Sequence, residues 1–268
     1  MGLLPPRDPG WLLEARSDPG PRGMVAHPIS IGGQNPAYRP SGDFVCEALA
    51  KATMQTLPLE RLAAAILLAA IAGCVDAVGF TELGGYFVSF MSGNSTRLGL
   101  HIAAHEWRPA LFTFGLVALF VGGAAAGALI VDRAGRAGAA AILLVEALML
   151  ATAAALLDGP RPLIGAAMLP PAMGLSNAFL LGEGGVRVGL TYMTGTLVRI
   201  GTGLAALGTP GRGRALLLDI LLWLSLVGGV VLGGIGYVRF GGTVLLAPVA
   251  ALVLIGLVEG FALRRPRA

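Results

Sequence analysis

The sequence predicts an all-α polytopic membrane protein of two repeats, with about six spanning helices plus two motif-bearing segments that either re-enter or span. Three observations predict it. The 268 residues are 55% hydrophobic and only 13% charged, about half the charge of a soluble domain, and mean hydropathy is +0.77. The apolar residues fall in runs of roughly 18 or more, enough to cross a bilayer core. One polar motif occurs twice inside such runs.

Residues 1–58 read as a disordered or weakly structured cytoplasmic arm. They are rich in Pro, Gly and Arg and show no hydrophobic period. No continuous apolar core precedes a small-residue cleavage site, so the arm does not read as a signal peptide. Met24 and Met54 are alternative translation starts. Apolar segments then follow at 62–80, 87–104, 110–131, 138–157, 163–181, 186–207, 215–236 and 243–262. The breaks between them hold Gly, Pro and Arg, residues that stop helices or seek the interface. Pro170 and Pro171 are expected to kink or break the segment that contains them. Residues 264–268 form a basic tail, also expected in the cytoplasm.

Residues 90–99 read FMSGNSTRLG and residues 192–201 read YMTGTLVRIG. Phe90 matches Tyr192, Ser92 matches Thr194, Gly93 matches Gly195, Arg97 matches Arg199 and Gly99 matches Gly201. Upstream, Asp76 and Glu82 are spaced as Asn177 and Glu183 are, and in the same order. Two matches in one order predict a duplication, with repeat 1 over 59–158 and repeat 2 over 159–263. If the motif segments span, the chain crosses eight times and the repeats are parallel. If they re-enter, it crosses six times and the repeats are inverted. With the N-terminus inside, six crossings place Arg133, Arg136, Arg187, Arg212, Arg214 and the C-terminal arginines inside. That fits the preference of cytoplasmic loops for arginine better than eight crossings do. Both topologies put both termini in the cytoplasm.

The motif reads as a helix start within the membrane. Ser92 and Asn94 are good N-cap residue types, and Gly93 would relieve a turned backbone. A half-helix N-terminus attracts anions, and Arg97 would add a full charge about one turn on. Thr194, Gly195, Thr196 and Arg199 repeat the arrangement. Two such half-helices meeting near the midplane is a layout used by secondary transporters. The structural alternative is pairing of Arg97 with Asp76 or Glu82, and of Arg199 with Glu183. Glu146 lies deep in an apolar run, and intramembrane acids default to function. Asp219 reads as interfacial, near Arg212 and Arg214. The candidate substrate or ion residues are therefore Asp76, Glu82, Ser92, Gly93, Asn94, Arg97, Glu146, Asn177, Glu183, Thr194, Gly195, Thr196 and Arg199.

His27, His101 and His105 are too scattered for a convincing metal centre, although His101 and His105 lie one helical turn apart. No nucleotide-binding signature occurs, no Ser-His-Asp or zinc-protease arrangement, and no single basic face for nucleic acid. The reading is a non-enzyme without cofactor or metal, whose partners are the lipid bilayer and a small solute, with anions among the candidates. A homo-oligomer is compatible with it. The rival classes are a membrane-embedded enzyme and a scaffold that binds a partner without transport.

The residues 73–80 (GCVDAVGF), 87–94 (FVSFMSGN), 177–179 (NAF) and 192–196 (YMTGT) resemble the YoaK family, known as domain of unknown function 1275. The resemblance covers about 60–262. It implies a bacterial inner-membrane protein of about six helices and implies no substrate. Ser92 and Ser95 stand where threonine is commoner in that family, with the hydroxyls retained.

Overall fold

The computed structural model describes residues 59–177, 193–207 and 212–264. The expected N-terminal arm, Glu183 and all but the first residue of the tail lie outside the described residues. Among the described residues every regular element is helical. They are α1 (Leu59–Glu82), α2 (Met91–Ala103), α3 (Trp107–Ala134), α4 (Gly138–Leu157), α5 (Pro162–Ser176), α6 (Met193–Ala205), α7 (Arg212–Phe240) and α8 (Leu246–Arg264). Short 3-10 turns, Gly135–Ala137 and Gly241–Leu245, join α3 to α4 and α7 to α8.

Four stretches among the described residues are long and apolar enough to cross a membrane: Leu62–Glu82, Trp107–Ala134, Gly138–Leu157 and Gly213–Phe261. The last of these runs through both α7 and α8. α5 is apolar but shorter. The motif helices α2 and α6 have 13 residues each. At 1.5 Å per residue each is about 20 Å long, well short of a hydrocarbon core of about 30 Å.

Two expectations need correction. The first motif helix begins at Met91 with Phe90 at its N-cap, and no side chain caps it. Ser92 is exposed and Asn94 sits inside the first turns, so neither is a cap. Pro170 and Pro171 do not break their segment; both lie inside the continuous α5. A proline pair survives in an apolar helix where neighbouring helices cover the freed backbone groups, and Gly123 of α3 approaches Pro171 closely enough that a Cβ there would strike its carbonyl.

The packing is built on such close approaches. α1 packs against α7 and α3 against α5; α4 packs on α5 and α8. A Cβ on Gly73 would strike the Leu226 carbonyl, and one on Gly229 the Ala70 carbonyl. Across the other pair, a Cβ on Gly174 would strike the Phe120 carbonyl, as one on Gly123 would strike Pro171. Small residues let backbones approach when lipid offers no hydrophobic drive for helix association. The Ser225 hydroxyl donates to the Ile66 carbonyl at 2.6 Å, Gly229 meets Ala70 and Gly233 meets Cys74. The register advances together along both helices, so α1 and α7 run parallel.

The core between these helices holds Leu68, Val75, Val78, Leu143, Leu150, Leu169, Met173, Leu245 and Leu252. The outer faces are equally apolar: Leu111, Leu148, Leu232, Val238 and Phe261 are all more than half exposed. Soluble monomers do not present apolar surface on this scale.

Candidate functional site

α1 ends in two left-handed glycines, Gly84 at φ 66° and Gly85 at φ 92°, a conformation glycine adopts without cost. The Gly85 amide donates back to the Phe80 carbonyl at 2.7 Å, closing the helix end. The chain then folds back alongside α1. Val88, fully buried, packs on Gly79, and the Val88 and Ser89 amides each donate to Asp76 Oδ1 at 2.9 Å. The Ser89 hydroxyl donates to Asp76 Oδ2. Asp76 thus ties the deepest point of the fold-back.

α2 returns in the opposite direction. Asn94, fully buried, accepts from the Phe87 amide at 3.1 Å and donates to the Phe87 carbonyl at 2.7 Å. Further along, the Arg97 guanidinium lies 4.9 Å from the centre of the Tyr86 ring. Tyr86 Oη is 3.0 Å from His101 Nε2, and His101 Nδ1 is 2.7 Å from Glu106. The cross-links Phe87–Asn94 and Tyr86–His101 define a hairpin with an irregular entering limb and a helical returning limb. Buried irregular backbone must find partners inside the protein, and Asp76 and Asn94 supply them for Phe87, Val88 and Ser89.

Gly93 packs where a Cβ would press on the Phe87 and Phe90 rings. Its role is close approach and not a special backbone conformation.

In the second motif, Arg199 Nε donates to Asp219 Oδ1 at 2.9 Å, and a terminal nitrogen lies 2.8 Å from the same oxygen. That terminal nitrogen also donates to Thr196 Oγ1 at 2.9 Å. Thr196 and Asp219 are buried. Asp219 is therefore not an interfacial residue serving Arg212 and Arg214; it is the ion-pair partner of Arg199. Arg97 pairs with neither Asp76 nor Glu82. Asp76 is committed to the hairpin, Glu82 lies near Asp158, and among the described residues Arg97 has the aromatic face instead of a carboxylate.

A cavity of about 530 Å³ lies where the two motifs meet. Asp76, Ala77, Phe80 and Thr81 of α1 line it, with Phe87, Ser89 and Phe90 of the hairpin tip, Met193 at the start of α6, and Leu226, Val230 and Gly234 of α7. Its wall is overwhelmingly apolar, interrupted by Asp76, Ser89 and Thr81. A mainly apolar pocket with a few convergent polar groups is the usual form of a small-molecule site.

Of the thirteen sequence candidates, Asp76 alone lines this cavity among the described residues. Ser92 and Thr194 are exposed, and Arg97 and Arg199 point to Tyr86 and Asp219. Gly195 is part of α6. Asn177 follows α5 and donates to the Met173 carbonyl at 2.7 Å. Glu146 is fully buried in α4, with no hydrogen bond to either carboxyl oxygen. Phe80, Phe87 and Met193 were missed as lining groups because apolar residues in an apolar helix carry no sequence signal. Tyr86 and Glu106 were missed because they flank the motif. His101 contacts Tyr86 and Glu106, and His105 stacks edge-on against Trp107.

Comparison with known proteins places this architecture. The pattern of a family described as "Protein of unknown function (DUF1275)" matches residues 64–258, from early α1 to near the end of α8. A UPF0700 transmembrane protein of Rhizobium meliloti (strain 1021) is 36% identical over 185 residues, covering 69% of this chain and 80% of the relative. No solved structure matches. With the family pattern spanning both motifs and every apolar helix, the chain belongs to the DUF1275 family and is a transmembrane protein.

Proposed function

We propose that the protein is a transporter or permease for a small solute, with its site between the tips of the two motifs. The observation that carries this reading is the cavity, which joins Ser89 and Phe90 of the first motif region to Met193 of the second. The solute class follows from the wall. Neither arginine lines the cavity and Arg199 is neutralised by Asp219, so an anionic solute loses its support. Three phenylalanines, a methionine and one carboxyl suit a small, largely apolar molecule, neutral or bearing an amine. The protein performs no covalent chemistry in this reading.

The same proposal includes six crossings and a duplicated, inverted architecture. The Gly242 amide donates to Asp158 at 2.8 Å, which supports α4 and α7 ending on the same membrane face. With eight crossings they would end on opposite faces. The crossed glycine contacts support duplication: Gly73 meets α7 as Gly174 meets α3, and Gly229 meets α1 as Gly123 meets α5. A left-handed glycine ends both third helices, Gly135 at φ 51° and Gly241 at φ 59°. Arginine distribution favours cytoplasmic termini in a bacterial inner membrane.

The test is uptake by proteoliposomes of a panel of small aromatic and aliphatic solutes, neutral and amine-bearing. Wild type is compared with Val230→Trp, which fills the cavity. Uptake of at least one solute that Val230→Trp removes supports the reading. Identical traces for both proteins and empty liposomes across the panel overturn it.

A further inference from the structure

Glu146 stands at the middle of α4, where the helix packs against α5 and α8. It is fully buried and neither oxygen has a hydrogen-bond partner. Ser176, at the end of α5, is its polar neighbour but lies outside hydrogen-bonding geometry. α5 carries no ionisable residue, and neither does the 3-10 turn Gly241–Leu245. The ionisable residues of α3 and α8 (Arg108, Asp132, Arg133, Glu259 and Arg264) and Arg136 of the 3-10 turn Gly135–Ala137 belong to helix ends and their junctions. Among the described residues no charged group stands close enough to Glu146 to offset its burial.

The fold does not need an acid at this place. One offset of 106 positions relates Gly123 to Gly229 and Gly135 to Gly241, and it places Leu252 of α8 at the position of Glu146. Leu252 is also fully buried. One half fills the position with a leucine and the other with a carboxyl that makes no hydrogen bond among the described residues. A buried polar group without a partner costs stability, and an unpaired carboxylate in a dry interior costs far more than the neutral acid.

We propose that Glu146 is a proton-binding site, its carboxyl held as the neutral acid in the seam between α4 and α5. Release of the proton needs that seam to open to water, because a single neighbouring serine hydroxyl does not solvate a carboxylate. The seam ends at Ser176 and Asn177, where the chain leaves α5 toward the second motif. Protonation holds the seam shut. The proposal stands on the packing of Glu146 and does not require the cavity to carry a solute.

The test is infrared spectroscopy of the full chain in lipid at neutral pH, on wild type, Glu146→Gln, Glu146→Leu and Asp76→Asn. The expected result is a protonated-carboxyl band in wild type that both Glu146 variants lose and Asp76→Asn keeps. Glu146→Leu mimics Leu252 and is expected to fold, so the test survives if Glu146→Gln does not. Exchange into heavy water should shift the wild-type band more slowly than it exchanges exposed amides. A wild-type band that is absent, or that persists in both Glu146 variants, overturns the proposal. So does a band that deuterates as fast as exposed amides.

Discussion

Arg199 and Asp219 form a charge-assisted pair across the α6–α7 contact, with Arg199 nitrogens 2.9 and 2.8 Å from Asp219 Oδ1. Asp219 is almost closed off, its side chain 10% exposed, whereas that of Arg199 is 38% exposed. The pair attaches the short motif helix to a long spanning helix. Removing one partner of a closed pair strands the other, and the half-open arginine softens that cost. Asp219→Ala is expected to destabilise by about 2 kcal/mol, read as a lower denaturation midpoint in detergent. The double variant with Arg199→Ala should recover part of the loss, as a double-mutant cycle would show. Strict additivity would refute the pairing.

Asp76 concerns the first motif. It accepts from two buried amides and a hydroxyl, and each orphaned buried donor costs about 1–3 kcal/mol. Asp76→Ala should cost about 3 kcal/mol and raise amide exchange at Val88 and Ser89 far more than in α3. Asp76→Asn keeps one acceptor oxygen and should show a smaller rise. Equal exchange in all three proteins would mean the hairpin is held by other contacts.

Glycines on one helix should behave oppositely. A Cβ at Gly123 would strike the Pro171 backbone, while one at Gly115 meets nothing within 4 Å. Gly123→Ala is expected to lower the melting temperature sharply, because two backbones must separate. Gly115→Ala should be neutral or stabilising by up to about 1 kcal/mol through helix propensity.

Sidedness separates the two topologies. With native Cys46 and Cys74 replaced by serine, single cysteines at Glu106, Arg161 and Arg239 should react with a membrane-impermeant maleimide from one face. A cysteine at Arg133 should react from the other. Labelling of Arg161→Cys and Arg239→Cys from opposite faces would establish eight crossings instead.

Much of the fold was legible in the sequence. Helix class, the apolar segments and the breaks between them depend on local composition, and α3, α4 and α7 stand close to where their apolar runs lie. The motif was legible as an anomaly, because Ser89, Asn94 and Arg97 are expensive in lipid. Its form was less so. Ser92 looks like a helix cap by residue type, yet the helix starts at Met91, because the chain is held by Asp76 and Asn94 before any cap is needed.

What the sequence determined by itself was the solvent: a chain with so little charge and such long apolar runs belongs in a bilayer. What only the tertiary structure decided was which polar group meets which. Asp219 was assigned to nearby arginines by sequence distance and belongs to Arg199; Arg97 had two acids near in sequence and lies on Tyr86. Glu146 lies in an apolar run, and only packing shows that its carboxyl has no hydrogen-bond partner. The physical reason is range. Hydrophobicity acts on each residue where it stands, whereas hydrogen bonds and ion pairs act over about 3 Å, between groups that the crossing of helices brings together.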